Sequence, residues 1–442
     1  MKYYDFINNT ISNNNNINWN YYNDDINTTN ILNSKTSIDF IKQYFKNGRK
    51  DLPLILDPET ANIFITNYFK VGQKETILFN HFNEHCDLPA ERAIHTVSGF
   101  FLGLLVENCI NGSTPIHITN TKQGFFPFSY LWFLTFLYHD YGYCVTERTD
   151  CPFQYPQHAP IPNQNNTDHK YCASKENRAL TQIKGILGIN LSPFRQFSTK
   201  RTRPSLEHAI LRELTQNNNT ISGYSKLHFS NGSTIMGHQY PNHLITRYMN
   251  YCINIRRRVD HGIVGGYLFY DRIIKNYLLA YTLLINETNR LQDLSDFSYK
   301  NKHFCSEQLT VFSYISDCIL SHNIFKQNPD TRQFYELYQL DDLLEENFKT
   351  ITYESNPLLY ILAISDTIEP IKIYKQHNSN LSEKTITEAI EIEYTPGTRS
   401  LKFSSNSANI DINILYQKAI SLTEWTSAKC SNLEKNSFTL KI

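Results

Sequence analysis

Apolar residues recur at helical spacing along most of this chain, and the stretches between them are polar. In 87–108, Ile94, Val97, Phe101, Leu104 and Leu105 lie on one helical stripe, with Asp87 as a cap and Pro89 in the first turn. That pattern predicts an amphipathic helix. A second apolar run from about Phe128 predicts a helix ending in adjacent His139 and Asp140, with Gly142 just beyond. From 144 to 241 the pattern lapses into prolines, asparagines and polar runs such as 163–167 and 216–220. This reads as an insertion with a few helices of its own, 206–214 among them, and its length suits a lid or a partner surface.

Helical periodicity returns near His243 and runs through Tyr248 to Arg256-Arg257-Arg258. Asp260-His261-Gly262 follows, and then a long helix is predicted through Ile263, Leu268, Ile273, Leu278 and Leu279. Gly265 and Gly266 fall about one turn after His261. A glycine inside a helix costs about 1 kcal/mol relative to alanine, so close approach of a helix, a metal or a ligand is expected there. Further helices are predicted over 309–322 and 358–368, the second opened by Pro357 and carrying Asp366, with a short acidic-apolar segment at 340–348 between them. After Lys372 the period changes. Segments 386–394 and 400–403 flank Pro396-Gly397 as a β-hairpin. A helix over 412–428 and a strand over 438–442 complete a small α+β appendage, 373–442. Residues 1–50 form an Asn-rich leader. The expected fold is mostly α: a helical domain over 51–372, interrupted by the insertion at about 144–241.

Composition changes this picture little. The 442 residues carry 42 basic and 42 acidic side chains, so no whole-molecule field favours nucleic acid or an anionic membrane. The longest apolar stretches, 131–138 and 277–285, are too short to span a bilayer. The first residues run into asparagines without the apolar core of a secretory signal. Nine cysteines are scattered with no CxxC pair, which points to reduced thiols in a cytoplasmic chain.

The polar residues placed among the apolar helices carry the candidate chemistry. A buried carboxylate without a partner is costly, and a metal ion removes that cost by accepting carboxylate and imidazole together. His95 lies near the first stripe, His139-Asp140 ends the second helix, and His261, His322 and Asp366 follow. Singly, each reads as a core side chain satisfied by a hydrogen bond. Together they give the order H…HD…H…H…D, and helices packed around one centre can project such side chains onto metal ions. Oxygen and imidazole donors without thiolate suit Mn, Fe or Mg, as one ion or two.

This order resembles the signature of the HD superfamily, helical metal-dependent phosphohydrolases and their relatives, over 51–372 with 144–241 unmatched. The resemblance implies an HD-type helical bundle. It implies that His95, His139, Asp140 and Asp366 bind a first metal, and that His261 and His322 complete a second site with Asp140 bridging. It implies hydrolysis of a phosphoester by metal-activated water, the expected substrate being a small phosphorylated molecule such as a nucleotide. Two relatives of that activity are alternatives: a di-iron oxygenase with the same six ligands, and a non-catalytic metal-binding protein. Many family members read HD-x-G-K. Here Gly142 matches, and Tyr143 stands in place of the lysine. Arg256, Arg257 and Arg258 are candidates to supply the missing positive charge, Arg258 being nearest His261, against a helix end that simply favours cations. Cys144, Cys151, His158, His169 and Cys172 match no common zinc spacing, and His208 reads as a surface histidine or an acid–base reaching in from the insertion.

Overall fold

The structure, a computed structural model, describes residues 2–3, 90–121, 124–143, 225–237, 248, 251–256, 260–266, 268–269, 306–324 and 350–442. Most of the leader, the greater part of the insertion, the acidic-apolar segment 340–348, the five zinc candidates, His208, Arg257 and Arg258 lie outside the described residues. Among those described, α-helices are joined by small antiparallel sheets. The chain divides into two units. The first is Met1–Leu137, His228–Ser233 and Thr350–Ile442; the second is Tyr138–Leu227 and Thr234–Lys349.

In the first unit, helix α1 (Ala90–Asn111) is followed by strands β1 (His117–Thr121) and β2 (Gly124–Pro127) and by helix α2 (Phe128–His139), whose last two residues belong to the second unit. Gly99 and Gly103 lie four apart on α1, hence on one face. A methyl group at Gly99 would sit 2.2 Å from the Phe136 ring, and one at Gly103 would sit 1.9 Å from the Trp132 indole. The two aromatics, also four apart, fill notches that only glycine leaves open. Trp132 Nε1 then donates to Phe100 O at 2.8 Å, so the indole is both packed and satisfied.

The C-terminal end of α1 is capped from far along the chain. Gly112, at φ 64°, turns its N–H back to Asn108 O, while Gly397 N and Arg399 N donate to Asn108 O and Cys109 O. Those donors lie beside the turn between β5 (Glu391–Tyr394) and β6 (Ser400–Ser404). With β7 (Lys429–Cys430) and β8 (Ser437–Lys441) these make an antiparallel sheet of order β5-β6-β8-β7. Ile392, Leu401, Phe403, Phe438 and Leu440 are its buried positions, alternating as a half-buried sheet requires. Tyr3 N donates to Ile390 O, which places Tyr3 beside the start of β5.

After α3 (Ser306–Ser321), which belongs to the second unit, helix α4 spans Pro357–Ile368, starts on an Asn356 side chain that accepts from Leu359 N, and is buried at every residue. A helix buried all round belongs to the centre of a core. Helix α5 (Pro370–His377) starts one residue later on Glu369, whose carboxylate accepts Ile371 N and Lys372 N.

Two boundaries differ from the sequence pattern. The first four residues of the expected strand 386–394 belong instead to helix α6 (Glu383–Ala389), which Ser382 caps by accepting Thr385 N. The strand begins only at Glu391. Helix α7 (Ile412–Leu422) stops short of Ala428, because Trp425 O and Ser427 N bond to Ile351 N and Ile351 O in a parallel bridge. That pairing takes the backbone groups a longer helix would use.

Glu107 is another buried carboxylate of this unit. It accepts Ile116 N at 2.6 Å and the Asn111 amide at 2.8 Å. Burial nevertheless pushes its carboxyl up to about 8. A group that holds its proton more tightly folded than unfolded stabilises most below its ordinary value of 4.5, and that contribution is lost as pH rises toward 8. Glu107→Gln keeps a carbonyl for Ile116 N and removes the titration. The stability decline from pH 4.5 to 8 should therefore be shallower in the variant than in the wild type, as read from urea midpoints.

The second unit contains the end of α2, most of strand β3 (Ser225–His228), strand β4 (Thr234–Gly237), a π-helical turn at Cys252–Arg256, a helical segment 261–266 and helix α3 (Ser306–Ser321). Its buried side chains include Tyr138, Ile263, Val264, Phe269, Phe312 and Ile319. The glycines at 265 and 266 mark close backbone approach. A methyl group at Gly266 would lie 2.5 Å from Leu320 Cγ and 3.0 Å from Ser316 O, and Ser316 Oγ donates to Gly266 O. At Gly265 the neighbours are Gly142 N and Tyr138 O.

Candidate metal centre

Six polar residues singled out by pattern are described, five buried and His261 partly exposed. His95 and Asp366 come together in the first unit. His139, Asp140, His261 and His322 come together in the second. Arg258, expected to face a phosphate, is outside the described residues, and Arg256 is committed elsewhere: its Nη1 lies 3.2 Å from Tyr248 OH and 3.5 Å from Asp260 Oδ2.

The second-unit group is the more complete. Helix α2 ends at His139, so the following turn presents Asp140. Its Oδ1 lies 3.4 Å from His139 Nε2 and 3.3 Å from His261 Nε2. His261 opens the helical segment 261–266, and His322 follows the last residue of α3. Their Nε2 atoms face each other at 3.2 Å. Ligand atoms of Asp140, His261 and His322 all lie within 4.8 Å of one another.

The surroundings assign roles to these nitrogens. His322 Nδ1 lies 2.6 Å from Ile319 O, which can only accept, so Nδ1 carries the proton and Nε2 presents its lone pair. The Asn323 amide Nδ2 approaches His261 Nε2 at 3.0 Å and is a donor, so that nitrogen is the acceptor of this pair. Two imidazole nitrogens and a carboxylate oxygen within 4.8 Å of one another could hold a cation, and this donor set fits a divalent metal.

Asp260 stands behind the group. It accepts Gly262 N at 2.9 Å and Asn323 Nδ2 at 3.2 Å. Burial alone would raise its carboxyl, but His261 and His322 in their protonated form, the Arg256 charge and the Asn323 hydrogen bond outweigh it and hold the pKa below its ordinary value. A methyl group at Gly262 would meet the His322 ring at 2.8 Å, so the bare backbone there makes room for the imidazole. Tyr143, which replaces the lysine of the resembled motif, stacks on His261 with ring centroids 3.8 Å apart. It therefore braces His261 rather than bringing charge.

In the first unit, His95 bridges two carboxylates. Its Nε2 lies 3.0 Å from Asp366 Oδ1 and its Nδ1 lies 3.1 Å from Glu369 Oε2. Glu369 is itself held by Ser98 Oγ at 2.6 Å and by the two amides it caps. Tyr3 OH reaches Ser98 at 2.8 Å, adding a contact from near the N-terminus. Lys372 Nζ contacts Asp366 Oδ1.

Pattern alone missed Glu369, Asp260, Asn323 and Lys372. For Glu369 a signal existed. It lies three residues after Asp366 and directly before Pro370, the sequence of a cap on a new helix.

Among the described residues, no helix is long and apolar enough to cross a membrane. The chain matches no family model, no curated protein and no solved structure, and the chemistry of these side chains carries the functional reading by itself.

Proposed function

We propose that the protein is a metal-dependent phosphohydrolase with an HD-type centre, cleaving a phosphoester of a small molecule such as a nucleotide. The observation that carries this reading is the Asp140–His261–His322 group, whose ligand atoms all lie within 4.8 Å of one another. In this reading His95, His139, Asp140 and Asp366 hold one divalent ion, and His261 and His322 complete a second site that shares Asp140.

A divalent ion bound there supplies Lewis-acid polarisation of a phosphoryl oxygen and lowers the pKa of water. The chain's own residues do the positioning. Glu369 turns His95 toward Asp366, Ile319 O sets the proton on His322, and Tyr143 holds the plane of His261. His261, with 14% of its side chain exposed, is the member closest to solvent and marks the side from which a substrate arrives.

The test is phosphate release from a panel of nucleotides and other phosphomonoesters and diesters, with Mn or Fe supplied. Release is expected to need the metal and to vanish with chelator and in His139→Ala. Oxygen uptake by iron-loaded protein without phosphate release would replace this reading with an oxygenase. Bound metal with neither activity would leave a binding protein.

A further inference from the structure

Lys372 sits in the first turn of α5, and its ammonium lies against Asp366 Oδ1, the same oxygen that faces His95 Nε2. The neighbouring carboxylate has different partners. Glu369 is satisfied by Ser98, His95 and two backbone amides. Lys372 thus serves Asp366. Its side chain is 17% exposed, with Asp366 at 4%, so the ammonium sits where the carboxylate meets solvent.

We propose that Lys372 is an exchangeable cation: its ammonium neutralises Asp366 until a divalent ion takes that carboxylate, and the displaced ammonium then binds the anionic group of the substrate. This rests on the metal reading above. One carboxylate oxygen cannot hold both a divalent ion and an ammonium at contact distance, because the two cations repel strongly at that separation in a buried setting. The lysine stem has four carbons and its base is fixed by helix α5, so the head swings while the backbone stays. A cation left beside a metal centre attracts phosphate.

Lys372→Met keeps the stem and removes the charge. Two binding measurements on the full chain test the proposal: Mn by isothermal titration, and inorganic phosphate on the Mn-loaded protein. The variant is expected to bind Mn about 10-fold more tightly or better, because the competing cation is gone. It is expected to bind phosphate about 10- to 100-fold more weakly, the loss of one charge-assisted hydrogen bond. Lys372→Arg, which retains the charge, should restore most of the phosphate affinity. In the wild type, acetylation of the Lys372 amine, followed by mass spectrometry, should speed up when Mn is added and slow again with phosphate. This measurement needs no variant and stands if Lys372→Met fails to fold. Unchanged phosphate affinity, an Mn affinity that does not rise, or acetylation indifferent to Mn overturns this inference and leaves the metal reading in place. A wild type that binds no Mn overturns both.

Discussion

Asp140→Asn is expected to lose divalent-metal binding by more than about 100-fold, since even residues that only orient a metal ligand cost 10- to 100-fold when changed. The side chain is 1% exposed and its Oδ1 sits between two imidazole nitrogens, at 3.4 Å from His139 and 3.3 Å from His261. Asparagine keeps the shape and removes the charge. The sign of the stability change separates two roles for this carboxylate. If Asp140 served only as the partner of a charged histidine in a buried ion pair, removing it would destabilise the fold by about 3–5 kcal/mol with or without metal. If it serves a metal, the variant in chelator should be as stable as the wild type or more so, because a buried charge has been removed. The difference then appears on adding Mn. At 100 times its dissociation constant a ligand adds about 2.7 kcal/mol to stability. The wild type should show that gain in urea denaturation, and Asp140→Asn should show none.

Gly142→Ala should give the largest loss of stability of any methyl addition at the described glycines of the second unit. The added carbon would lie 1.9 Å from His261 O and 2.8 Å from Gly265 N. Both obstacles are backbone, so no side chain can rotate aside, and one of two chain segments must move. Overpacking costs about 1–3 kcal/mol in general, and a backbone obstacle places this substitution at about 3 kcal/mol. The segment that moves carries His261, so metal affinity should fall with stability. Gly232→Ala is the control. Its glycine has φ 86° and nothing within 4 Å of the added carbon, so it costs only backbone strain, about 1–2 kcal/mol, and leaves metal binding untouched. Equal midpoints for Gly142→Ala and the wild type would contradict the close approach of the 140–143 turn to the 261–266 segment.

The parts of this molecule that were legible in its sequence are those with a repeating signal. Period 3.6 located α1, α2, α3 and α4. Pro357 marked the start of α4. Gly265 and Gly266 announced close approach, because glycine inside a helix is hard to account for otherwise. The histidines and aspartates stood out because they interrupt apolar runs. What supports them did not stand out. Asn323 beside His322, Asp260 beside His261 and Glu369 after Asp366 are polar residues at helix ends, where polar residues are ordinary. Only the fold shows which atoms they hold. The strand expected from Ile386 failed for a related reason: four residues carry too little periodic information to outweigh a Ser382 cap, and the cap is a matter of one hydrogen bond. Nor does any period reveal that Tyr143 stacks on an imidazole.

The most direct test of the metal centre is the Mn retained per chain after exhaustive dialysis, measured by mass spectrometry for the wild type and for a His95→Ala/His322→Ala double variant. The account predicts one or two ions on the wild type and none on the variant, with both proteins folded by circular dichroism. No ion on the wild type, or the same content in both, would contradict it.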